Sequence, residues 1–257
     1  MNVELEVADD IAVATLNRPA SMNAISGAVA DDLREAMREV GSRPDIKVLV
    51  LTGSGDKAFC AGADLKERGT FELEDFYGNR RQMVSMFQAV RELPQPSIAA
   101  VFGFTLGGGF ELALSCDLVV AAEGTEFGLP EARVGLVPGG GGTQLLPRKV
   151  GSSKAKELIF TGRRMSAQEA LSHGLVVSIA PKSELRRAAL ELAGDICRSS
   201  PVAVREAKRA VDASFGMSLE DAIALENEAW GRVVATADRS EGITAFNEKR
   251  APRWSNR

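Results

Sequence analysis

Two glutamates beside glycine-rich turns have the side-chain type and the setting that acid/base chemistry needs. Glu111 follows the segment Gly107-Gly108-Gly109-Phe110, and Glu131 comes 20 residues later (131 − 111), after Leu129-Pro130. Taken singly, each is expected to be a structural charge, because helix starts favour glutamate and loop carboxylates are commonly solvated. Brought together, two carboxylates can handle a proton of water and a proton on carbon.

The three glycines Gly107–Gly109 precede Glu111 directly, after an apolar segment typical of a buried strand. Three adjacent glycines cost conformational entropy, so stability alone does not favour them. They would present bare N–H groups at a helix N-terminus, where partial positive charge stabilises a developing oxyanion. The spacing fits neither the G-x-G-x-x-G dinucleotide pattern nor a Walker loop.

Small residues also occupy Ala61-Gly62-Ala63, within the segment Phe59–Lys66. Small side chains let a ligand approach the backbone, and free N–H groups at such a turn can donate to a polarised oxygen. Taken alone, a tight turn without a ligand is the favoured interpretation. The run Gly139–Gly142 leaves two alternatives open: an anion site at the next helix start, or, as the favoured one, a close-packed turn against the Glu131 loop.

Other kinds of site find little support in the sequence. The only histidine, His173, stands where a helix is expected to end before a strand, so it predicts neither a common zinc site nor a Ser-His-Asp triad. The sparse cysteines Cys60, Cys116 and Cys197 fit a reducing compartment. The chain begins MNVELEVADD without an apolar signal segment, and we expect a cytoplasmic protein. The net charge of −4 and the single tyrosine and two tryptophans make nucleic-acid binding an unfavoured expectation.

The elements that must position these residues follow a mixed α/β order. The sequence predicts two short strands within Val3–Leu16 around the turn Asp9-Asp10, then a helix ended by Gly41. Apolar runs predict three buried strands, which are Val48–Thr52, Ser97–Phe102 and Asp117–Ala122. A helix from Gly107 to Leu114 lies between the last two of these strands. The chain is expected to be mostly helical from about Lys154 and to contain only helices after about residue 195.

Longer stretches of the chain resemble the crotonase (enoyl-CoA hydratase/isomerase) superfamily. The matching segments span nearly the whole chain in the expected order: LNRP (Leu16–Pro19), FCAGADLKE (Phe59–Glu67), SIAAVFGFTLGGGFELALSCDL (Ser97–Leu118), FGLPEARVGLVPGGGGTQLLPR (Phe127–Arg148), ELIFTGRRMSAQEA (Glu157–Ala170) and AFNEKRAPRW (Ala245–Trp254). The stretches CAGADLKE, GGGFELAL and PGGGGTQLLPR are also similar to the methylglutaconyl-CoA hydratase-like branch.

This resemblance implies an α/β fold, a crotonase-like spiral of ββα units in residues 1–195 with a helical trimerisation region in residues 196–257. It implies homotrimers, often paired as hexamers, and an enzyme of fatty-acid metabolism that adds water to a 2-enoyl-CoA. By motif position, the N–H groups of Ala63 and Gly108 form the oxyanion hole. Ala61, Ala63, Asp64, Leu65 and Gly108 bind CoA or substrate. No cofactor is implied beyond the CoA carried by the substrate, and no membrane.

The resemblance also assigns the carboxylates: Glu131 supplies the α-carbon proton, and Glu111 shares the water. Family isomerases commonly keep one acid at the Glu131 position, so the presence of both favours hydration over double-bond isomerisation. A methylglutaconyl-CoA hydratase with secondary RNA binding is a further alternative. For Lys249 and Arg250 two alternatives stay open: contact with a CoA phosphate, or a solvated tail. Pocket walls are expected from Tyr77 to Phe87, with Leu136 and the C-terminal helices as further candidates.

Overall fold

The computed structural model describes residues 1–257, and ten strands form its two sheets. The strands are β1 (Val3–Ala8), β2 (Ile11–Leu16), β3 (Val48–Gly53), β4 (Ala58–Cys60), β5 (Ser97–Val101), β6 (Phe104–Leu106), β7 (Leu118–Ala122), β8 (Glu126–Gly128), β9 (Met165–Ser166) and β10 (Ser178–Ala180). The first sheet has the order β1-β2-β3-β5-β7-β10, and the second has the order β4-β6-β8-β9. All pairings are parallel except β1 with β2 and β8 with β9.

Eleven helices surround these sheets. They are α1 (Gly27–Ser42), α2 (Leu65–Arg68), α3 (Leu73–Arg91), α4 (Gly108–Ser115), α5 (Gly142–Val150), α6 (Ser152–Thr161), α7 (Ala167–Ser172), α8 (Leu185–Cys197), α9 (Pro201–Ala213), α10 (Leu219–Val234) and α11 (Ala237–Glu248). In α1, Ser26 caps the first turn by accepting from the Val29 N–H, and the buried face carries the apolar period that the sequence predicted. The helix ends one residue beyond the expected Gly41.

The chain alternates between the two sheets. β3, β5 and β7 lie in the first sheet, and each is followed at once by a strand of the second, namely β4, β6 and β8. Each of these pairs leads into a helical segment. This repeated ββα order confirms the fold class that the resemblance implied.

The strand β8 lies between the predicted strand Asp117–Ala122 and Glu131, where the sequence predicted no strand. With only three residues, β8 is too short to show a periodic pattern, and its partners lie elsewhere in the chain. Because β4, β6 and β8 are neighbours in parallel register, their carboxyl ends lie side by side. The turns that leave these three strands therefore meet at one edge.

Only helices follow β10. Helix α8 packs on the first sheet through Leu185, Ala189 and Ala193. Helix α9 is tied to the start of β7 by Lys208, whose ammonium lies 2.6 Å from the carboxylate of Asp117. The division at residues 195 and 196 stays a prediction. None of the helices is both long and apolar enough to cross a membrane.

Candidate active site

Three turns converge at the carboxyl ends of β4, β6 and β8. Ala63 follows β4, Gly108 follows β6 as the first residue of α4, and Glu131 follows β8. The first two turns are in contact: a Cβ on Gly62 would lie 3.4 Å from the Gly108 nitrogen, and one on Gly108 would lie 3.7 Å from the Ala63 nitrogen. The sheet thus brings together segments that are 45 residues apart (108 − 63).

The backbone N–H of Ala63 donates to no acceptor within the chain. Its neighbours are held on both sides, because the Ile25 N–H donates to the Gly62 carbonyl at 2.8 Å and the Asp64 N–H donates to the Ile25 carbonyl at 2.9 Å. The Gly108 N–H stands at the first position of α4, where no intrahelical acceptor exists. Two N–H groups in adjacent turns are therefore held by the surrounding backbone and have no acceptor within the chain.

Two of the three glycines before Glu111, Gly107 and Gly109, are required by the backbone conformation and by close packing. Gly107 has a φ of +52°, and a Cβ on Gly109 would lie 2.1 Å from the Cys60 carbonyl oxygen. No side chain fits at Gly109, because α4 begins directly against the end of β4. This packing sets the distance between the two turns that carry the free N–H groups.

Glu111 lies in the first turn of α4 and is only 3% exposed. Its Oε1 accepts hydrogen bonds from the N–H groups of Gly140 at 2.6 Å and Gly142 at 2.8 Å. Burial raises the pKa of Glu111, while the two N–H donors oppose that rise by stabilising the ionised form. The carboxylate sits at the N-terminus of α5, where the helix dipole also favours negative charge.

The run Gly139–Gly142 combines parts of both sequence interpretations. It binds an anion at a helix start, as the first alternative held, but the anion is the chain's own Glu111. It is also closely packed, since a Cβ on Gly142 would lie 2.9 Å from Leu129 Cδ1 and one on Gly140 would lie 2.5 Å from the Phe87 ring. Contact with Phe87 and Glu111 was not expected, because both lie far away in sequence.

Glu131 opens a 3-10 turn, Glu131–Val134, rather than an irregular loop. Its Oε2 is buried without a hydrogen-bond partner, and its Oε1 would lie 2.9 Å from a Cβ on Gly107. Burial and, to a lesser extent, the negative charge of Glu111 raise the pKa of Glu131 to about 7. The two carboxyl groups therefore approach the start of α4 with different proton affinities.

The residues predicted to line a CoA site have varied roles in the structure. The Ala61 N–H donates to the Met22 carbonyl at 3.0 Å, and the Asp64 carboxylate caps α2 and pairs with Arg18 at 3.0 Å. The side chain of Leu65 is 61% exposed and accessible to a ligand. The Asp64 carboxylate is thus already engaged inside the protein.

The structure also bears on the two C-terminal residues with alternative roles and on the pocket walls expected along α3. Arg250 forms ion pairs with Glu241 and Glu248, which accounts for its charge within the tail, whereas Lys249 ends α11 with a φ of +56°. Tyr77 is exposed on α3, and Phe87 is buried against Gly140.

His173 caps the end of α7, as the sequence predicted. No three His, Cys, Asp or Glu side chains are grouped to hold a metal ion.

Two arginines near the glutamates were not singled out from the sequence. Arg68 is half-buried and has one side-chain hydrogen bond, to Asn79 Oδ1 at 3.3 Å. Burial lowers the pKa of Arg68, and the charges of Glu67, Glu111 and Glu131 oppose this. Arg80 donates to the Gly139 carbonyl. Nothing in the sequence around Arg68 or Arg80 distinguishes these arginines from solvated ones before the tertiary contacts are known.

Residues 6–257 match the model of a protein family described as enoyl-CoA hydratase/isomerase. The chain belongs to the enoyl-CoA hydratase/isomerase family. This membership confirms the crotonase resemblance stated from the sequence.

Named members of the family match over nearly their full length. The short-chain-enoyl-CoA hydratase of Clostridium acetobutylicum is 41% identical over 97% of this chain and 95% of its own. The crotonyl-CoA hydratase of Syntrophomonas wolfei is 40% identical over 97% of this chain and 96% of its own. The crystal structure of an enoyl-CoA hydratase from Bacillus anthracis superimposes with a TM-score of 0.98 at 41% identity, covering both chains completely.

Proposed function

We propose that this protein is an enoyl-CoA hydratase, which adds water across the 2,3 double bond of an acyl-CoA thioester. The observation that carries the proposal is the convergence of Glu111 and Glu131 on the turns that hold the N–H groups of Ala63 and Gly108. The names of the relatives agree with this activity. No cofactor enters the proposal, since CoA arrives as part of the substrate.

In this proposal, the thioester oxygen accepts hydrogen bonds from the N–H groups of Ala63 and Gly108. The two donors polarise the carbonyl, make the β-carbon electrophilic and stabilise the enolate-like charge that develops, an effect for which each donor typically contributes ~10²–10³ in rate. The fixed backbone around Ala63 supports this role, because a preorganised donor costs no reorganisation during the reaction.

The two carboxyl groups then divide the proton transfers. Glu111, held by two N–H groups, takes a proton from the attacking water. Glu131, with a pKa of about 7, carries the proton that goes to the α-carbon. The pair thus needs only one proton: it lies on Glu131 before addition and on Glu111 after it. The reverse reaction, elimination of water, starts with the proton on Glu111.

CoA binding and assembly complete the proposal. We place CoA or substrate against Ala61, Ala63, Asp64, Leu65 and Gly108, where the Asp64 carboxylate is already engaged by Arg18 and by the first turn of α2. Residues 196–257 would form the contacts of a homotrimer, alone or paired as a hexamer. Large apolar side chains exposed in this region support that: Val211, Phe215, Met217, Leu219, Ile223, Trp230, Ile243 and Phe246.

The decisive experiment adds the protein to a panel of straight, branched and glutaconyl enoyl-CoA thioesters. A hydratase removes the ultraviolet absorbance of the conjugated thioester and yields the 3-hydroxyacyl product. Absence of hydration with every member of the panel would contradict the proposal. Isomerisation is separated by Glu111→Ala, because a hydratase loses most of its activity whereas an isomerase that relies on Glu131 keeps it.

A further inference from the structure

One peptide unit links an arginine on α3 to the carboxylate of Glu111. The carbonyl oxygen of Gly139 accepts a hydrogen bond from Nη1 of Arg80. The N–H of the same peptide group, which belongs to Gly140, donates to Oε1 of Glu111 at 2.6 Å. Arg80, the peptide and Glu111 therefore form a continuous chain of hydrogen bonds that runs from the protein surface to the buried carboxylate.

We propose that Arg80 is a positioning residue that acts on Glu111 through the Gly139-Gly140 peptide. The inference rests on the proposed function only in that Glu111 is the base for water. The guanidinium fixes the orientation of the peptide plane by holding its carbonyl oxygen. It also polarises the peptide, so that the Gly140 N–H becomes a stronger donor, since hydrogen bonds in a chain strengthen one another.

The glycine run that supplies the donors to Glu111 is held in place by contacts from outside the run. Four successive glycines have no side chains that could restrict their backbone, and they alone supply the two donors to Glu111. Gly142 is fixed by its place in α5 and by contact with Leu129. The Gly139-Gly140 peptide precedes the helix, and Arg80 holds its carbonyl from outside.

Helix α3 also carries two arginines that serve as matched controls. Arg91 donates to the carbonyl of Gly140 at 3.2 Å, but the N–H of that peptide, on Gly141, does not bind Glu111. Arg81 is exposed and makes no hydrogen bond or ion pair. Loss of Arg91 therefore removes a nearby charge without breaking the link to Glu111, and loss of Arg81 removes only a surface charge.

The charged groups that act on Glu111 come from three elements. They are Arg68 from α2, Arg80 and Arg91 from α3, and Glu131 from the 3-10 turn. Burial raises the pKa of Glu111, whereas its hydrogen bonds and the charge of Arg80 lower it. Removing Arg80 is therefore expected to raise that pKa, because one stabilising influence on the ionised form is lost.

The test compares Arg80→Met and Arg80→Lys with Arg81→Met and Arg91→Met in the full-length protein. Arg80→Met should lower kcat about tenfold with KM little changed, as expected for a misplaced catalytic group. The acid limb of the kcat profile should move to higher pH, and Arg80→Lys should restore part of both effects. Arg81→Met should match the unaltered protein, and Arg91→Met should move the acid limb less than Arg80→Met does, because it removes a nearby charge but leaves the hydrogen-bond chain to Glu111 intact.

Three outcomes would overturn the inference. Arg80→Met could match Arg81→Met, it could change KM alone, or Arg91→Met could shift the acid limb equally, which would indicate a charge effect through space. A ¹³C NMR titration of the Glu111 carboxyl, assigned with Glu111→Gln, gives a readout independent of turnover. If the protein hydrates no thioester, the proposed function fails, but an upward shift of that titration in Arg80→Met alone still supports the link.

Discussion

The carboxyl group of Glu131 is buried and lies within the electrostatic influence of Glu111. Burial, and to a lesser extent the negative charge of Glu111, raise the pKa of Glu131 to about 7. Burial also raises the pKa of Glu111, but two backbone N–H groups oppose that rise by stabilising its ionised form. The structure therefore places two side chains of the same type in different electrostatic environments. Burial, backbone donors and mutual repulsion produce this difference.

The first prediction concerns the pH dependence of the reaction. In the proposed mechanism the pair holds one proton, on Glu131, so kcat/KM should fall as pH rises above about 7. Addition and elimination of water neither release nor take up a proton overall, so both directions should show the same alkaline limb. Steady-state rates in the two directions, measured across pH, check this.

Glu111→Gln tests the source of that limb. The substitution removes the negative charge that helps to raise the pKa of Glu131, so the residual activity should decline at lower pH than in the unaltered protein. An alkaline limb that does not move, or moves to higher pH, would show that Glu131 does not titrate under the influence of Glu111.

The second prediction concerns Gly142. A Cβ at this position would lie 3.0 Å from Glu111 Oε1 and 2.9 Å from Leu129 Cδ1. Gly142→Ala should therefore displace the carboxylate from its donors and lower kcat by about 10²-fold, the order expected for a 1 Å misplacement. Gly194→Ala in α8 is the matched control, because a Cβ there meets nothing within 4 Å. Equal kcat values for both variants would show that the position of Glu111 does not depend on Gly142.

The third prediction concerns the anchor of the Ala63 turn. Arg18 pairs with Asp64 at 3.0 Å and also donates to the Ala24 carbonyl at 2.8 Å. Arg18→Met should lower the free energy of unfolding by about 1–3 kcal/mol, since it leaves polar partners unsatisfied. It should also lower kcat, because the Ala63 N–H loses its support.

Arg186→Met provides the comparison for Arg18. Arg186 pairs with Glu6 on the surface, and both side chains are 59% exposed. Surface pairs of this kind contribute little, so thermal unfolding and kinetics should be nearly unchanged. A kcat that survives Arg18→Met would argue against a fixed Ala63 donor in the reaction.

The fourth prediction concerns assembly. Phe246 on α11 is 83% exposed, which is costly for an aromatic side chain unless a partner covers it. Phe246→Asp should shift the protein to smaller species in light scattering coupled to size-exclusion chromatography. Leu171→Asp on α7, also at an exposed apolar position, should leave the assembly intact. A monomeric parent protein would contradict the proposed trimer directly.

Several parts of the molecule were predictable because their signals are local. The apolar runs of β3, β5 and β7 are long enough to identify buried strands, and the period of α1 identified its buried face. The short strands β4, β6 and β8 were the difficult ones. They have three residues each and depend on pairing with distant segments.

By itself, the sequence determined the residue types, their order and the family resemblance, because these depend on the covalent chain and on short patterns. It named Glu111, Glu131, Ala63 and Gly108 as candidates, and it favoured one fold. Only the tertiary structure decided that the glycine run holds Glu111, that Glu131 has a pKa of about 7, and that Arg80 reaches Gly139. These features depend on burial and on contacts between residues far apart in the chain, which no local pattern encodes.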